Sequence, residues 1–450
     1  MKKILLLCVI MTMKLNVMAQ YKLDTINYAG DSKVFVDIVF LGDGFTIYEM
    51  ESFEYYVKNH SDKFFSKTPL KEYRNMFNVF YVKTPSNESG AGMTPDAPVD
   101  NIFGSCFGTS GVDRLLWPTK WNKVNEVLNQ TKPDYDVVVV LVNQQKYGGG
   151  GSNGGRICYS LDSQSIEVLI HESGHAIAGL ADEYWYNGRE RPNQTQDIKN
   201  LKWKNWMGDE EIGTYRYSEN PDEEAYSWYR PHQNCTMRYN NRQFCAVCRE
   251  AYIESIHKMS KNIISYSPST SSRQEIQDYP MTFKLDLLKP EPNTLKVKWM
   301  MDSKEIASNV EEITIESKDF KEGKYTLTAS VEDTTLYVRT DNHTELHAAV
   351  VEWKIKISVS SGIQVISDAT AEFVIETLPF DTELMIRGTH QLKKPVTAVL
   401  TDMNGRKAVQ GTFDDTNYCR LNTAKLPSGV YLLQIRHDHQ LFYTNKVLKR

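Results

Sequence analysis

The sequence predicts an α+β domain followed by two all-β domains. Its length of 450 residues is about three times that of a typical domain. In the N-terminal part, the β-branched runs at 34–41 and 136–142 alternate with helical patterns, which is typical of a mixed sheet covered by helices. From about residue 276 onward the pattern changes to short strands separated by turns, which favours an immunoglobulin-like sandwich and then a further small β-domain.

The composition argues against two other classes of protein. Hydrophobic residues make up 41% of the chain and charged residues 24%, which is typical of a globular protein rather than a disordered one. The formal net charge is −5, so the chain has no broad positive field and nucleic acid is not expected as a partner.

The N-terminus has the pattern of a secretory signal peptide at 1–19. Two lysines precede the apolar run 4–13, and Ala19 supplies the small residue before the cleavage point. A membrane anchor is disfavoured because Lys14 interrupts a run that is already too short to span a bilayer. No later segment of the sequence has the pattern of a membrane span, so we expect the mature chain to be secreted or held at the cell surface.

The remaining domain boundaries follow changes in the residue pattern. Residues 20–265 are predicted to form the first domain, and the polar, serine-rich segment 266–275 is predicted to be a linker. The predicted sandwich covers 276–376, and the last domain covers 379–450.

The strongest chemical signal is the motif H-E-S-G-H at 171–175, which lies on a helix predicted from regularly spaced apolar residues. His171 and His175 are four residues apart, so both imidazoles project from one side of this helix and suit a zinc ion. Glu172 is displaced by about 100° around the helix axis. It can therefore reach a water molecule beside the metal and take its proton.

A catalytic zinc site needs a third protein ligand, and Asp182 is the predicted one. In a continuous helix Asp182 would lie about 10 Å beyond His175, which is too far for the two residues to share a metal. Gly179 can adopt the left-handed conformation that ends helices, and the chain could then fold back. Glu183 and His232 remain open as rivals, although Glu183 is more simply explained as support for the ligands or as part of a salt bridge.

Three cysteines, Cys235, Cys245 and Cys248, form a second cluster in the sequence. Export of the chain favours disulfides, so we expect a disulfide from Cys235 to Cys245 or Cys248. A structural zinc site built from these three thiols and His232 is the alternative.

A glycine-rich segment at 147–155 follows the predicted strand at 136–142. It lacks the Gly-Lys-Ser/Thr sequence that completes a phosphate-binding loop. We interpret it as the rim of a cleft that leads into 156–161, a predicted edge strand on which an extended peptide could pair.

The stretch H-E-S-G-H-A-I-A-G-L-A-D-E-Y at 171–184 resembles the signature of the bacterial immunoglobulin A metallopeptidase family. F-L-G-D-G-F at 40–45 and P-S-N-E-S-G at 85–90 also match, and 34–258 resembles the catalytic domain of that family. The resemblance implies a metzincin-like fold and zinc-dependent endopeptidase activity, with Asp182 among the zinc ligands.

Three further residues near these motifs are candidates for supporting roles. Met237 looks like the methionine turn that lies beneath the metal in metzincin-like enzymes. Tyr184 or Tyr239 could stabilise an oxyanion. Simple packing is the alternative for each of the three.

Residues 379–450 resemble the C-terminal sorting domain of the bacterial type IX secretion system. The resemblance rests on D-M-N-G-R at 402–406, which is also a strong hairpin signal, on L-P-S-G-V-Y at 426–431 and on K-V-L-K at 446–449. It implies that the type IX machinery exports the chain through the periplasm of a Gram-negative bacterium and that the domain is removable.

These observations predict a secreted zinc-dependent endopeptidase, with Glu172 as general base, that acts on extracellular proteins. Host glycoproteins and immunoglobulins are candidate substrates. The alternative is a non-catalytic cell-surface protein that binds proteins or glycans and contains a structural zinc site. The intact Glu172 argues against this alternative, because a structural site needs no base and fills its fourth position with protein.

Overall fold

The computed structural model describes residues 21–277, 279–358, 373–377, 379–389, 395–437 and 440–450. The signal peptide predicted at 1–19 lies outside these residues. The chain divides into two compact units, Met1–Ile357 and Ser358–Arg450, and each is described by itself.

A six-stranded mixed sheet forms the centre of the first part of the chain. Its strands have the spatial order β1-β3-β2-β4-β6-β5, with β2, β3, β4 and β6 parallel to one another and β1 and β5 antiparallel to their neighbours. The strands are β1 (Leu23–Asn27), β2 (Val36–Asp43), β3 (Phe77–Val82), β4 (Val137–Val142), β5 (Gly149–Ser152) and β6 (Arg156–Tyr159).

Helices cover both faces of this sheet, which explains why every residue of β2 and β4 is buried. Alternate residues of β4 belong to two separate cores, so that Val139 packs on one face and Val140 on the other. Three helices contribute to the first core and α2 contributes to the second. The helices are α1 (Met50–Phe64), α2 (Trp121–Thr131), α3 (Ser165–Ala176) and α4 (Ala246–Met259).

The edge of the sheet beside α3 is β5 and not the segment predicted from the sequence. Residues 156–159 form β6, which lies between β4 and β5. Glycines form this edge because α3 packs closely against it. A Cβ atom on Gly149 would lie 2.5 Å from Val168 Cγ1, and one on Gly151 would lie 2.7 Å from the carbonyl oxygen of Glu172.

A two-sheet β-sandwich follows α4 within the same unit. Its sheets have the orders β10-β16-β15-β12-β13 and β14-β11-β9, and they share one core in which Trp299 and Trp353 stack with ring centroids 5.7 Å apart. The short pair β7 (Tyr215–Arg216) and β8 (Tyr229–Arg230) precedes α4 in the chain. The elements that follow α4 are β9 (Ile263–Ser267), β10 (Gln274–Ile276), β11 (Met281–Leu287), β12 (Leu295–Met301), β13 (Lys304–Ser308), β14 (Glu312–Ile315), β15 (Gly323–Asp333), α5 (His343–His347) and β16 (Ala349–Ile357).

The sandwich begins earlier than the sequence indicates. Strands β9 and β10 include both ends of the segment 266–275 that was expected to be a linker. The sandwich is also tied to the first part of the chain, because Asp333 Oδ2 accepts a hydrogen bond from Tyr73 Oη at 2.5 Å and lies 3.1 Å from His257 Nε2. The segment 266–275 is therefore a connection between two strands of the sandwich rather than a linker between domains.

The second unit contains two further sheets, with the orders β17-β18-β21 and β20-β19-β22-β23. The hairpin expected around Asn404-Gly405 joins β19 to β20, and Gly405 has the positive φ of 79° that its turn requires. The strands are β17 (Phe373–Ile375), β18 (Glu383–Gly388), β19 (Val396–Thr401), β20 (Lys407–Thr412), β21 (Tyr418–Asn422), β22 (Gly429–His437) and β23 (Gln440–Lys449).

None of the helices that the structure describes is both long and apolar enough to cross a membrane.

Candidate active site

Helix α3 presents two histidines toward a carboxylate that lies beyond its end. His171 Nε2 lies 3.0 Å from Asp182 Oδ1, and His175 Nε2 lies 3.3 Å from the same oxygen. The helix ends at Ala176, and Gly179 has a φ of +62°, which turns the chain back toward the histidines. The Leu180 N–H donates to the carbonyl oxygen of Gly174 at 3.0 Å and closes this turn.

Backbone carbonyls orient both imidazole rings. His171 Nδ1 lies 3.0 Å from the carbonyl oxygen of Thr236, and His175 Nδ1 lies 2.8 Å from that of Leu180. A carbonyl oxygen can only accept a hydrogen bond, so each Nδ1 carries the proton. Each Nε2 is therefore the ring nitrogen that faces Asp182, which is the orientation that second-shell contacts impose on metal-binding histidines.

This cluster of side chains attracts positive charge. Burial lowers the pKa of His175, but Asp182 and Glu172 outweigh that effect and raise the pKa to about 9. Burial raises the pKa of the Asp182 carboxyl, yet hydrogen bonds and charge from both histidines hold its pKa well below the usual range. A cation bound among the three groups would satisfy the same electrostatic demand as these protons.

Glu172 lies beside the histidines on the wall of an open cleft. Its Oε2 is 4.0 Å from His175 Nε2, and its side chain is 14% exposed to solvent. The cleft has a volume of about 350 Å³ and lies against the glycine-rich edge strand β5. It is lined among others by Gly150, Gly151, Glu172, His175, Asp182 and Tyr184.

Glu183, the rival of Asp182, points away from the histidines. Its side chain is fully buried, and its Oε1 accepts a hydrogen bond from Asn193 Nδ2 at 3.2 Å. His232, the remoter rival, is occupied elsewhere, because its Nδ1 accepts a hydrogen bond from the Asn234 N–H at 2.9 Å.

Met237 lies directly beneath α3. It is completely buried, and a Cβ atom on Gly174 would lie only 2.6 Å from its Sδ. It belongs to a tight turn in which the Arg238 N–H donates to the carbonyl oxygen of Cys235 at 2.9 Å. The same turn supplies the Thr236 carbonyl that orients His171.

The two tyrosines occupy different positions around the cleft. The Tyr184 ring stacks on the His171 ring with a centroid distance of 6.2 Å, and its hydroxyl accepts a hydrogen bond from Arg114 Nη2 at 3.2 Å. Tyr239 lies near the cleft but is 48% exposed. Sequence reasoning missed Arg114, since it lies far from the histidine motif along the chain and no local pattern marks it.

Comparison with known families identifies two parts of the chain. Residues 25–211 match the family model described as IgA Peptidase M64. Residues 379–450 match the model described as Secretion system C-terminal sorting domain, so both resemblances recognised in the sequence are confirmed. Peptidases of the M64 family are metallopeptidases.

Solved structures resemble the chain only weakly. The Bacteroides ovatus protein SGBP-B, from a mixed-linkage glucan utilization locus, is 14% identical over 41% of this chain and 47% of its own, with a TM-score of 0.16. The fibronectin(III)-like modules of Clostridium thermocellum CbhA are 9% identical over 41% of this chain and 93% of their own, also with a TM-score of 0.16. The chain spans less than half the length of the first of these. No curated protein matches the chain.

The described cysteines are not paired as expected. All six described cysteines are free thiols, and the sulfur atoms of Cys235 and Cys248 lie 3.7 Å apart without a bond between them. The predicted disulfide from Cys235 to Cys245 or Cys248 is therefore not present in the structure. The three thiols lie close to one another and to Glu183, and sequence reasoning had not linked Glu183 to them.

Proposed function

We propose that this chain is a secreted zinc-dependent endopeptidase whose active site is the cluster of His171, His175 and Asp182 with Glu172 beside it. The observation that carries this proposal is the convergence of both Nε2 atoms on Asp182 Oδ1, at 3.0 and 3.3 Å, in an open cleft. The match of 25–211 to a peptidase family supports the same conclusion.

The donor set suits a catalytic zinc ion. Ligand atoms about 2.0–2.1 Å from a tetrahedral ion are about 3.3–3.4 Å apart, close to the separations between Asp182 and the two histidines. Two imidazoles and one carboxylate leave the fourth position for water or substrate, as catalytic zinc sites do. Glu183 and His232, which point elsewhere, are not needed to complete the set.

The residues around the cluster have distinct roles in peptide hydrolysis. Bound zinc supplies a Lewis acid that polarises the peptide carbonyl and makes a water molecule more acidic. Glu172 takes the proton of the attacking water and later gives it to the leaving amine. Tyr184 accepts a hydrogen bond from Arg114, and we assign its hydroxyl to the stabilisation of an oxyanion in the cleft.

Two structural features suit an extended peptide as substrate. Strand β5 forms the sheet edge along the cleft, and its four residues are three glycines and a serine. An extended peptide can pair with such an edge through main-chain hydrogen bonds, and this pairing depends little on which side chains the substrate has. Met237 beneath α3 supports the metzincin-like arrangement that we assign to residues 20–265.

The sorting domain indicates export to the cell surface or the medium. We assign to the chain an export route through the periplasm of a Gram-negative bacterium. The signal peptide at 1–19 would direct it across the inner membrane, and the type IX machinery would then recognise the sorting domain. The substrates would then be extracellular proteins, and host glycoproteins or immunoglobulins are the first ones to try.

The test is cleavage of an unfolded general protein by the purified full chain. We expect cleavage that a zinc chelator abolishes and that added zinc restores, whereas added magnesium does not restore it. Cleavage that persists after complete metal removal would contradict the proposal. A chain that binds zinc at the histidines and yet cleaves no unfolded protein or peptide would favour the non-catalytic alternative.

A further inference from the structure

A second group of donor atoms lies behind the first, on the buried side of the Asp182-Glu183 segment. Cys235, Cys245, Cys248 and Glu183 each contribute one sulfur or oxygen atom, and these four atoms all lie within 4.8 Å of one another. All four residues are buried. None of them belongs to the cluster that faces the cleft.

The separations within this group match a tetrahedral arrangement around a metal. Sulfur atoms about 2.3 Å from a tetrahedral zinc ion are about 3.8 Å apart, and a sulfur and a carboxylate oxygen are about 3.6 Å apart. Cys235 Sγ lies 3.7 Å from Cys248 Sγ. Glu183 Oε1 lies 3.3 Å from Cys248 Sγ and 3.9 Å from Cys245 Sγ.

The burial of Glu183 also favours a bound cation. Glu183 is completely buried, and its Oε2 has no hydrogen-bond partner. The described residues include no ion pair to this carboxylate, although a buried charge without a partner is strongly unfavourable. A metal ion bound beside it would remove that cost.

The backbone is arranged to favour thiolates. Cys245 is the N-cap of α4, and Cys248 lies in its first turn, where the helix dipole favours negative charge. The Cys245 N–H donates to Cys235 Sγ at 3.3 Å. The spacing Cys245-x-x-Cys248 thus brings two sulfurs to one helix end, and the turn containing Cys235 adds the third.

We propose that Cys235, Cys245, Cys248 and Glu183 bind a structural zinc ion that is separate from the catalytic one. All four positions are filled by protein, as in structural zinc sites. Binding releases the thiol protons to solvent and involves no oxidation. The proposal concerns metal binding alone and does not depend on peptidase activity.

Such an ion would join three segments that build the active site. Glu183 follows the ligand Asp182, Cys235 precedes Met237 in the turn beneath α3, and Cys245 begins α4. The Glu183 N–H already donates to the carbonyl oxygen of Met237 at 2.7 Å, so two of these segments are in direct contact. The buried zinc would fix the segment that presents Asp182 to the histidines.

The test counts zinc in the full chain, produced with zinc and purified without chelator. We expect two zinc ions per wild-type chain and one in His175→Ala, in which the open site is damaged. X-ray absorption at the zinc edge of His175→Ala should show sulfur neighbours at about 2.3 Å. Because the closed site is untouched in this variant, the result does not depend on whether cysteine variants fold.

A matched pair of cysteine variants gives the control. Cys248→Ser should lose one zinc ion, whereas Cys158→Ser, which alters an equally buried thiol elsewhere, should keep both. The proposal is overturned if His175→Ala contains no zinc, or if its zinc has no sulfur neighbours. It is also overturned if the unreduced, denatured wild-type chain is lighter by two hydrogen atoms and contains a bond from Cys235 to Cys245 or Cys248.

Discussion

Asp182 and Glu183 are neighbours in the chain, yet their side chains enter two groups of opposite character. The Asp182 group has three protein donors and borders a cleft, and the Asp182 side chain is 13% exposed. The Glu183 group has four protein donors and is closed to solvent. Accessibility and the number of protein donors, rather than residue type alone, distinguish catalytic zinc sites from structural ones.

A third group, Glu254 with His343 and His347, has the separations of hydrogen-bonded ion pairs rather than those of metal ligands. His343 Nδ1 and His347 Nε2 each lie 2.6 Å from a Glu254 oxygen. These separations are shorter than those between ligands of one zinc ion and fit charge-assisted hydrogen bonds. The group links α4 to α5 next to the sandwich, so we interpret it as an ion-pair network that supports the fold.

Glu172→Gln should have the largest effect on the open site. The amide cannot accept the proton of water, so kcat/KM on a peptide substrate should fall by about 10²–10⁴-fold. Zinc content and the circular dichroism spectrum should remain those of the wild type. A variant that retains more than about a tenth of the activity would remove Glu172 from the role of general base.

Asp182→Ala should weaken zinc binding at the open site. We expect zinc affinity there to fall by at least about 100-fold, the upper end of what loss of a mere supporting residue costs. Competition with a fluorescent chelator measures it. Asp222→Ala, which alters an exposed aspartate in a loop, is the matched control and should bind zinc normally. Unchanged affinity in Asp182→Ala would exclude Asp182 as a ligand.

Gly174→Ala tests the contact between α3 and Met237. Alanine normally stabilises a helix relative to glycine by about 0.5–1 kcal/mol. Here the added methyl group would overlap Met237 Sδ, and we expect the free energy of unfolding to fall by about 1–3 kcal/mol. In a Met237→Ala background the loss should shrink by about 1 kcal/mol. Stabilisation by Gly174→Ala alone would show that the contact is not tight.

Glu254→Gln should have a smaller effect that depends on pH. Glu254 raises the pKa of His343 and acts in the same direction on His347, where burial dominates and leaves the pKa lowered. The stabilisation supplied by Glu254 is therefore largest where the histidines are protonated and is lost as pH rises.

Thermal unfolding at two pH values measures this dependence. The loss in Glu254→Gln should be about 1–3 kcal/mol near pH 5.5 and smaller near pH 8.5. Glu345→Gln, on the exposed side of α5, is the matched control and should show little effect at either pH. Zinc content should be unchanged in both variants, and loss of a zinc ion from Glu254→Gln would make this third group a metal site.

Local sequence patterns predict many of the strands, turns and helix ends that the structure contains. Apolar runs indicated β2 and β4, and the Asn-Gly pair indicated the β19–β20 hairpin. The bend at Gly179 could be inferred from the distance that Asp182 must cover. Features that depend on tertiary packing could not be inferred. Glycines rarely favour strands, so the sequence predicts the edge strand at 156–161 instead of at β5. Strand β5 is built from glycines because α3 leaves no room for side chains there.

The surroundings of Glu183 could not be predicted from the sequence for a similar reason. No spacing rule relates it to cysteines more than 50 residues away, and export of the chain favoured disulfides for those cysteines. Glu183 lies beside these cysteines because the fold brings three separate segments together in one buried place.

Peptidase activity measured as a function of bound zinc is the most direct test of the proposed active site. A chelator should remove zinc first from the open site, since that site is accessible and has fewer protein donors. We predict that peptidase activity disappears as the first zinc equivalent leaves, while the circular dichroism spectrum remains that of the folded chain. Full activity in folded chains that have lost the zinc at His171, His175 and Asp182 would contradict the account.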